Sequence, residues 1–468
     1  MIHTYKKQLF TLAIAATVFA SCKVTKTYEN PSLKTAGLFR EQTATDTTTM
    51  ANTPWKTLFA DPLLSGLIQE GLDQNLDLKN ALQNIVQAQA TLQQSKAAFL
   101  PSLTLDANVT RSKQSEAGLN FPPGININTL TNTFKAQLST SWEADIWGKL
   151  SSTKRSALAA YFRTDAAKRA IQTQLIADIA NNYYNLLALD RQLEITQETL
   201  KSRIAGVETM KTLKEGAVVN GAAVVQSEAS RYATEVTIPD LKRTIRETEN
   251  ALNILLSRAP GPISRSKLAD QNLSPDVKIG VPTQLLENRP DVQGAEFAFR
   301  AAFENTNLAR TYFYPSLTIT AAGGLSSLDI KDFFSKSIFY NLVGGLTQPI
   351  FNKGLNKQRL VTAKSAQEQA LNTFQKTLLV AGQEVSNALY TYQTAVEKEE
   401  ARAKQIAALE KSVNYTQELL RYSSATNYTD VLTSEQSLLA AQLSGVNDRL
   451  QKLQSVVNLY RALGGGWK

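Results

Sequence analysis

The chain has 468 residues, with 50 Lys and Arg against 41 Asp and Glu, one His and one Cys. At 43% apolar and 19% charged it can bury a core and is neither disordered nor a polytopic helical membrane protein. A single imidazole and a single thiol disfavour His-based acid–base catalysis and His/Cys zinc sites and exclude intrachain disulfides, so neither enzyme chemistry, a metal nor another cofactor is expected. The net charge of +9 is spread without a long basic run, which argues against a nucleic-acid partner.

Residues 1–21 read as an export signal. Lys6 and Lys7 form a basic start, Leu9 to Ala20 a largely apolar stretch too short to span a bilayer as a helix, and Phe19-Ala20-Ser21-Cys22 a small-residue ending. The Ala-Ser-Cys ending resembles a bacterial lipobox, which makes Cys22 the candidate lipid-attachment residue. Ordinary signal-peptidase cleavage, leaving Cys22 as a free thiol, is the alternative.

Beyond residues 22–75 the chain is organised by a duplication. Phe99-Leu100-Pro101-Ser102-Leu103-Thr104-Leu105 returns 214 positions later as Phe313-Tyr314-Pro315-Ser316-Leu317-Thr318-Ile319. Ile146-Trp147-Gly148-Lys149 is matched by Ile350-Phe351-Asn352-Lys353. Repeat 1 covers 76–258 and repeat 2 covers 290–463, with a linker at 259–289 and a tail at 464–468. A period of this length duplicates a domain-sized unit and is not a solenoid of short repeats.

Within repeat 1, a helix over 76–98 precedes strands at 99–112 and 132–147. Leu103, Leu105, Ala107 and Val109 alternate with Thr104, Asp106 and Asn108; Phe134, Ala136, Leu138, Trp142, Ala144 and Ile146 alternate with polar neighbours. Helices follow over 149–213 and 222–258. Ile179, Leu186, Leu193, Leu200 and Val207 recur every seven residues, as in a coiled-coil seam. Pro239 should kink or interrupt the second of these helices. Repeat 2 has a helix over 290–312, strands at 315–326 and 338–351, and helices over 354–421 and 429–463. Its seam runs through Leu371, Leu378, Val385, Tyr392, Ile406, Val413 and Leu420, with Glu399 as the break. A helix over 149–213 would extend ~100 Å. Arg289 and Asp291 read as helix-start chemistry around Pro290.

Such strands suit either a half-buried antiparallel sheet or a membrane barrel with lipid outside and water inside. Four strands cannot enclose a lumen, whereas three chains pooling theirs would supply twelve. In the barrel reading Phe134, Leu138, Trp142 and Ile146 face lipid.

Three further motifs carry a family resemblance. They are Trp55-Lys56-Thr57-Leu58-Phe59-Ala60-Asp61-Pro62-Leu63 with Asn75-Leu76-Asp77-Leu78, Arg289-Pro290-Asp291-Val292 with Ala295-Glu296, and Leu463-Gly464-Gly465-Gly466-Trp467. With the lipobox and the duplication, the chain resembles the TolC-like outer-membrane efflux proteins, in the lipoprotein branch that serves RND transporters. The resemblance implies a mainly α fold of duplicated long helical hairpins forming a trimeric α-barrel, with four strands per chain in a 12-stranded outer-membrane β-barrel. Residues 22–75 become an N-terminal extension with equatorial contacts. The implied function is a passive conduit exporting drugs or other toxic small molecules from the periplasm or the pump. The implied partners are two further copies, a periplasmic adaptor (membrane fusion) protein, an inner-membrane RND transporter and outer-membrane lipid.

By the same resemblance the turns joining long and short helices lie at the periplasmic tip. Gly216, Ala217, Val218, Asn220, Ser423 and Ser424 become adaptor-contact candidates, and Tyr422, Asp430 and Asn427 gate candidates. The chain departs from the family pattern there: Asn427 stands where relatives carry an Arg, Thr433 where they carry a second Asp, and Ala223 at the corresponding Asp position of the first turn. Asp430 reads equally as a helix-start carboxylate. Type I secretion or metal efflux are alternatives within transport, although the chain has no Met-rich or His-rich segment. A structural periplasm-spanning coiled-coil lipoprotein is the alternative outside transport.

Overall fold

The computed structural model describes residues 24–33, 35, 37–40, 47–118, 128–271, 278–422 and 428–468. The export signal 1–21, Cys22, Ser423, Ser424 and Asn427 lie outside the described residues. The principal helices are α1 (Pro62–Gln74), α2 (Leu76–Ala97), α3 (Lys149–Glu215), α4 (Gly221–Leu255), α5 (Pro290–Thr311), α6 (Leu355–Tyr422) and α7 (Tyr428–Ala462). The strands are β1 (Ser102–Lys113), β2 (Leu130–Ala144), β3 (Ser316–Ser327) and β4 (Ile338–Thr347). The chain divides into two compact units. Among the described residues no helix is long and apolar enough to cross a membrane.

The first unit comprises the described part of Met1–Ser32 with Ile85–Arg163 and Glu296–Thr373. Its centre is a four-stranded antiparallel sheet in the order β1-β2-β3-β4. The helices all join this sheet at one end: α2 leads into β1, β2 into α3, α5 into β3 and β4 into α6. Among the described residues the other end carries the β1–β2 and β3–β4 connections. Strand β2 stops at Ala144 because Asp145 turns the chain. Its carboxylate accepts from the Leu150 and Ser151 amides at 2.8 and 2.9 Å and from Ser151 Oγ at 2.5 Å, supplying acceptors to the donors that open α3. Ile146 therefore lies in the turn and not on the expected strand, half exposed and without a ladder position. Strand β4 likewise stops before Pro349, which has no N–H to continue a ladder.

An N-terminal strap lies against the same unit. The Asn307 side-chain amide reads the Lys26 peptide from both sides, accepting from its N–H and donating to its carbonyl, each at 2.9 Å. The Tyr28 ring meets Phe303 edge to face at 5.5 Å.

The second unit comprises Leu33–Asn84, Thr164–Ala295 and Phe374–Lys468. One apolar core binds α1 through Leu64 and Ile68, α3 through Ile179, Tyr183 and Leu186, α4 through Leu252, α6 through Leu378 and Val385, and α7 through Leu453, Val456 and Leu459. The seven-residue seam thus finds its burial within the chain: Ile179, Leu186 and Val207 are fully buried and Leu193 and Leu200 partly so. Glu399, the break in the second seam, is a charged clamp. Its carboxylate holds Arg449 and Lys452 of α7, each at 2.6 Å, while Arg402 pairs with Asp448 at 2.8 Å. Burial pushes Glu399 up, but the hydrogen bonds from Lys452 and Arg449 outweigh it and hold the carboxyl below its usual value.

Of the kink or interruption expected at Pro239, the interruption does not occur. Helix α4 runs unbroken from Gly221 to Leu255 with Pro239 inside it. Packing on both sides, through Ser230 and Thr234 before the proline and Ile245 and Thr248 after it, keeps the helix in register despite the lost amide.

Candidate functional site: membrane face and helical tip

Residues directly opposite one another in an antiparallel ladder share a face, so the register decides what the sheet presents. Leu105 pairs with Leu138, Leu138 with Gly323, and Gly323 with Tyr340. Ala107, Ala136, Leu325 and Ile338 form the next row, and Trp142, Ile319 and Gly344 another. Within the ladder, the apolar positions of the alternations seen in the sequence fall on one face, Ile146 having no ladder position. The opposite face carries Thr104, Asp106, Asn108, Gln137, Ser139, Glu143 and Thr318, with Phe339 and Val343 of β4 as apolar exceptions. In the single chain the apolar face is open: Leu105 is 71% exposed, Leu138 51% and Tyr340 87%. Of the expected lipid-facing residues, Phe134, Leu138 and Trp142 lie together on this face.

The helix-proximal end of the sheet is aromatic. Trp142 Nε1 donates to the Phe99 carbonyl at 2.9 Å and Trp147 Nε1 to the Pro315 carbonyl at 2.7 Å. The Trp147 and Tyr314 rings lie 4.9 Å apart. Lys149 Nζ and the Arg359 guanidinium lie 5.9 and 4.6 Å from the Tyr312 ring.

At the α3–α4 turn, Val218 N donates to the Leu213 carbonyl at 2.9 Å and Ala217 N to Lys214 at 3.0 Å, the two bonds of a Schellman cap. Ala217 takes the left-handed position at φ 57°, where glycine is usual. Val218 is exposed, and Asn220 caps α4 by accepting from Ala223 N at 3.2 Å. Gly216, Ala217, Val218 and Asn220 thus form one compact exposed turn.

The gate candidates are placed differently from one another. Tyr422 ends α6, 86% exposed, and Asp430 sits exposed in the first turn of α7. The tyrosine that ties the two hairpins together is Tyr428, whose hydroxyl donates to Ser227 Oγ of α4 at 2.7 Å. Nearby Arg203 of α3 is buried, donating to the Ser230 carbonyl at 2.6 Å and to Thr234 Oγ1 at 2.5 Å. Its burial lowers the guanidinium's affinity for a proton, against a smaller pull from Glu435. Sequence reasoning missed Tyr428 and Arg203, since neither stands out from the helical pattern around it.

The three signatures turn out to be structural and meet in the second unit. Arg289, 4% exposed, pairs with Asp291 at 2.5 Å and Glu384 at 2.7 Å and donates to the Ala462 carbonyl at 2.9 Å. This goes beyond helix-start chemistry, because the guanidinium ties three segments. Gly464, at φ 87°, passes so close to Asn288 that a Cβ would lie 2.3 Å from its carbonyl oxygen. Trp467 Nε1 donates to that same carbonyl at 2.9 Å, with the Arg169 guanidinium 4.7 Å from the Trp467 ring. Asp61 of the N-terminal motif caps α1 through Leu63 N and accepts from Tyr183 Oη at 2.7 Å, Ser266 Oγ at 2.5 Å and Gln271 Nε2 at 2.9 Å. Burial pushes the Asp61 carboxyl up, but these hydrogen bonds together hold it below its ordinary value; burial raises Tyr183 to about 12.

The model of the outer membrane efflux protein family matches residues 67–258 and 281–465. The toluene efflux pump outer membrane protein TtgC of Pseudomonas putida is 29% identical, over 98% of this chain and 96% of its own length. The cation efflux system protein CusC of Escherichia coli is 26% identical, over 98% of each. The open-state outer membrane channel MtrE of Neisseria gonorrhoeae superposes with a TM-score of 0.84 at 26% identity, covering 96% of this chain and 99% of that one. The chain belongs to the outer membrane efflux protein family and is an outer-membrane efflux channel, not an enzyme.

Proposed function

We propose that three copies of this chain close a 12-stranded barrel in the outer membrane and act as the passive outer duct of a tripartite pump, moving small toxic molecules supplied by an inner-membrane RND transporter through a periplasmic adaptor. The observation that carries this reading is the predominantly apolar face of a sheet that, among the described residues, ends in two unpaired edges, β1 and β4. Open edges are not tolerated in hydrocarbon, so a spanning sheet must pair them, and four strands are too few to close alone. Twelve leave an aqueous lumen lined by the polar face.

In this assembly Cys22 carries the lipid anchor. Thr25 packs against Gly148 at the helix-proximal end of the sheet, and three residues of chain reach at most ~11 Å further, which suits an acyl chain entering the adjacent leaflet. The duplicated halves, 76–258 and 290–463, each supply two strands and one long helix. Asp430 and Tyr422 sit at the periplasmic entrance with Asn427, and the turn Gly216–Asn220 with Ser423 and Ser424 meets the adaptor. The test is crosslinking of the intact protein followed by planar-bilayer recording. Trimers that conduct are expected; a monomer without conductance would contradict the proposal.

A further inference from the structure

The apolar face does not continue to the loop-bearing end of the sheet. On β1 the outward row Leu103, Leu105, Ala107 and Val109 is followed on the same face by Arg111 and Lys113, whose ladder partners are Asn132 and Leu130. Both cations are exposed, and neither has an acidic partner within ion-pair distance among the described residues. Two cations two residues apart on one face stand ~7 Å from each other, close enough to grip one phosphate or two neighbouring ones.

Their height is informative. From Ala144 to Phe134 the outward residues of β2 cover ten residue steps, ~34 Å along the strand and about 26 Å across the membrane at a ~40° tilt. That matches the ~25 Å apolar band of outer-membrane barrels. Val109 pairs with Phe134 and marks the upper edge of the band. Arg111 and Lys113 then stand ~5 and ~10 Å beyond it, across the level of the headgroups. A cation facing outward at that level, without a carboxylate of its own chain, meets the charge of the surrounding lipid.

We infer that Arg111 and Lys113 form a binding site for the phosphates of the glycolipid in the outer leaflet. The helices leave the sheet at its opposite end, so the loop-bearing end faces the exterior, where that leaflet carries phosphorylated glycolipid. The site rests on the membrane-spanning reading above and adds a lipid partner to it: the apolar face takes the acyl chains, and the two cations fix the headgroup on the edge strand, beside the seam where copies meet.

The experiment titrates the purified full-length protein in non-ionic detergent with a diphosphorylated lipid A and with its dephosphorylated counterpart, reading binding by native mass spectrometry. The intact protein should prefer the diphosphorylated form roughly thirtyfold, the sum expected from two cations at a lipid surface. Arg111→Gln/Lys113→Gln should abolish the preference. Arg111→Lys/Lys113→Arg, which keeps both charges, should retain it. Lys135→Gln, which removes a cation from the polar face, should retain it too. A preference that survives the double glutamine variant, that is lost equally in Lys135→Gln, or that is absent from the intact protein overturns the site. Conductance of the same preparations separates the two levels: a conducting channel with no phosphate preference overturns only the lipid site, whereas a chain that never inserts overturns the channel reading beneath it.

Discussion

The sheet and the helical core use the same device, a periodic apolar pattern, to opposite ends. In the second unit the seven-residue stripe is consumed within the chain, so Ile179, Leu186 and Val385 reach full burial. In the first unit the two-residue stripe is equally regular, yet Leu105 and Tyr340 stay open to the surroundings. A pattern therefore says that a face is apolar, not what covers it. The difference between the regions is the difference between a solvent-excluded core and an exposed face for which we propose lipid as the solvent.

Substitutions should separate the two regions. The largest effect is expected where backbones touch in the core: Gly464→Ala places a Cβ against the Asn288 carbonyl at a left-handed φ and should cost about 4 kcal/mol or more, seen as a collapse of the thermal midpoint. Next, Leu138→Arg on the apolar face should cost about 2–4 kcal/mol in bilayers, whereas Gln137→Arg on the polar face should insert normally; refolding titrations into vesicles measure both. Asp61→Ala should lose about 1–2 kcal/mol as a cap. The Asp61 carboxyl is depressed in the fold, so its contribution is present above the unfolded value of ~3.9 and is lost as pH falls through the lower folded value. Melts at pH 7 and pH 3 should therefore differ less in Asp61→Ala than in the native chain. The smallest effect runs the other way: Ala217→Gly relieves a left-handed alanine in the exposed turn and should stabilise by about 1 kcal/mol.

Much of this architecture is legible from residues alone, and the misses have particular causes. The strands are readable because alternation against a two-sided environment leaves a direct trace, but their ends are set by Asp145 and Pro349, which act outside the alternation. That is why Ile146 looks like a strand residue and is not. Pro239 reads as a breaker because propensity is local, while the packing that carries α4 past it is not. Glu399 reads as a defect in a seam until Arg449 and Lys452, about fifty residues away, supply its partners. Arg289, Gly464 and Trp467 are conspicuous as motifs, yet their meeting at Asn288 depends on tertiary closeness that spacing does not encode. At the tip, Tyr422 draws the eye, while the hydrogen bond between hairpins belongs to Tyr428.

The central claim, that one face of the sheet meets lipid and the other water, is tested most directly by single nitroxide labels at each position from 134 to 142 of the reconstituted protein. Collision with dissolved oxygen and with a water-soluble nickel chelate should alternate with a period of two, oxygen dominating at 134, 136, 138, 140 and 142 and the chelate between them. Equal access of the chelate to both sets, or protection of the apolar set from both reagents, would contradict the account.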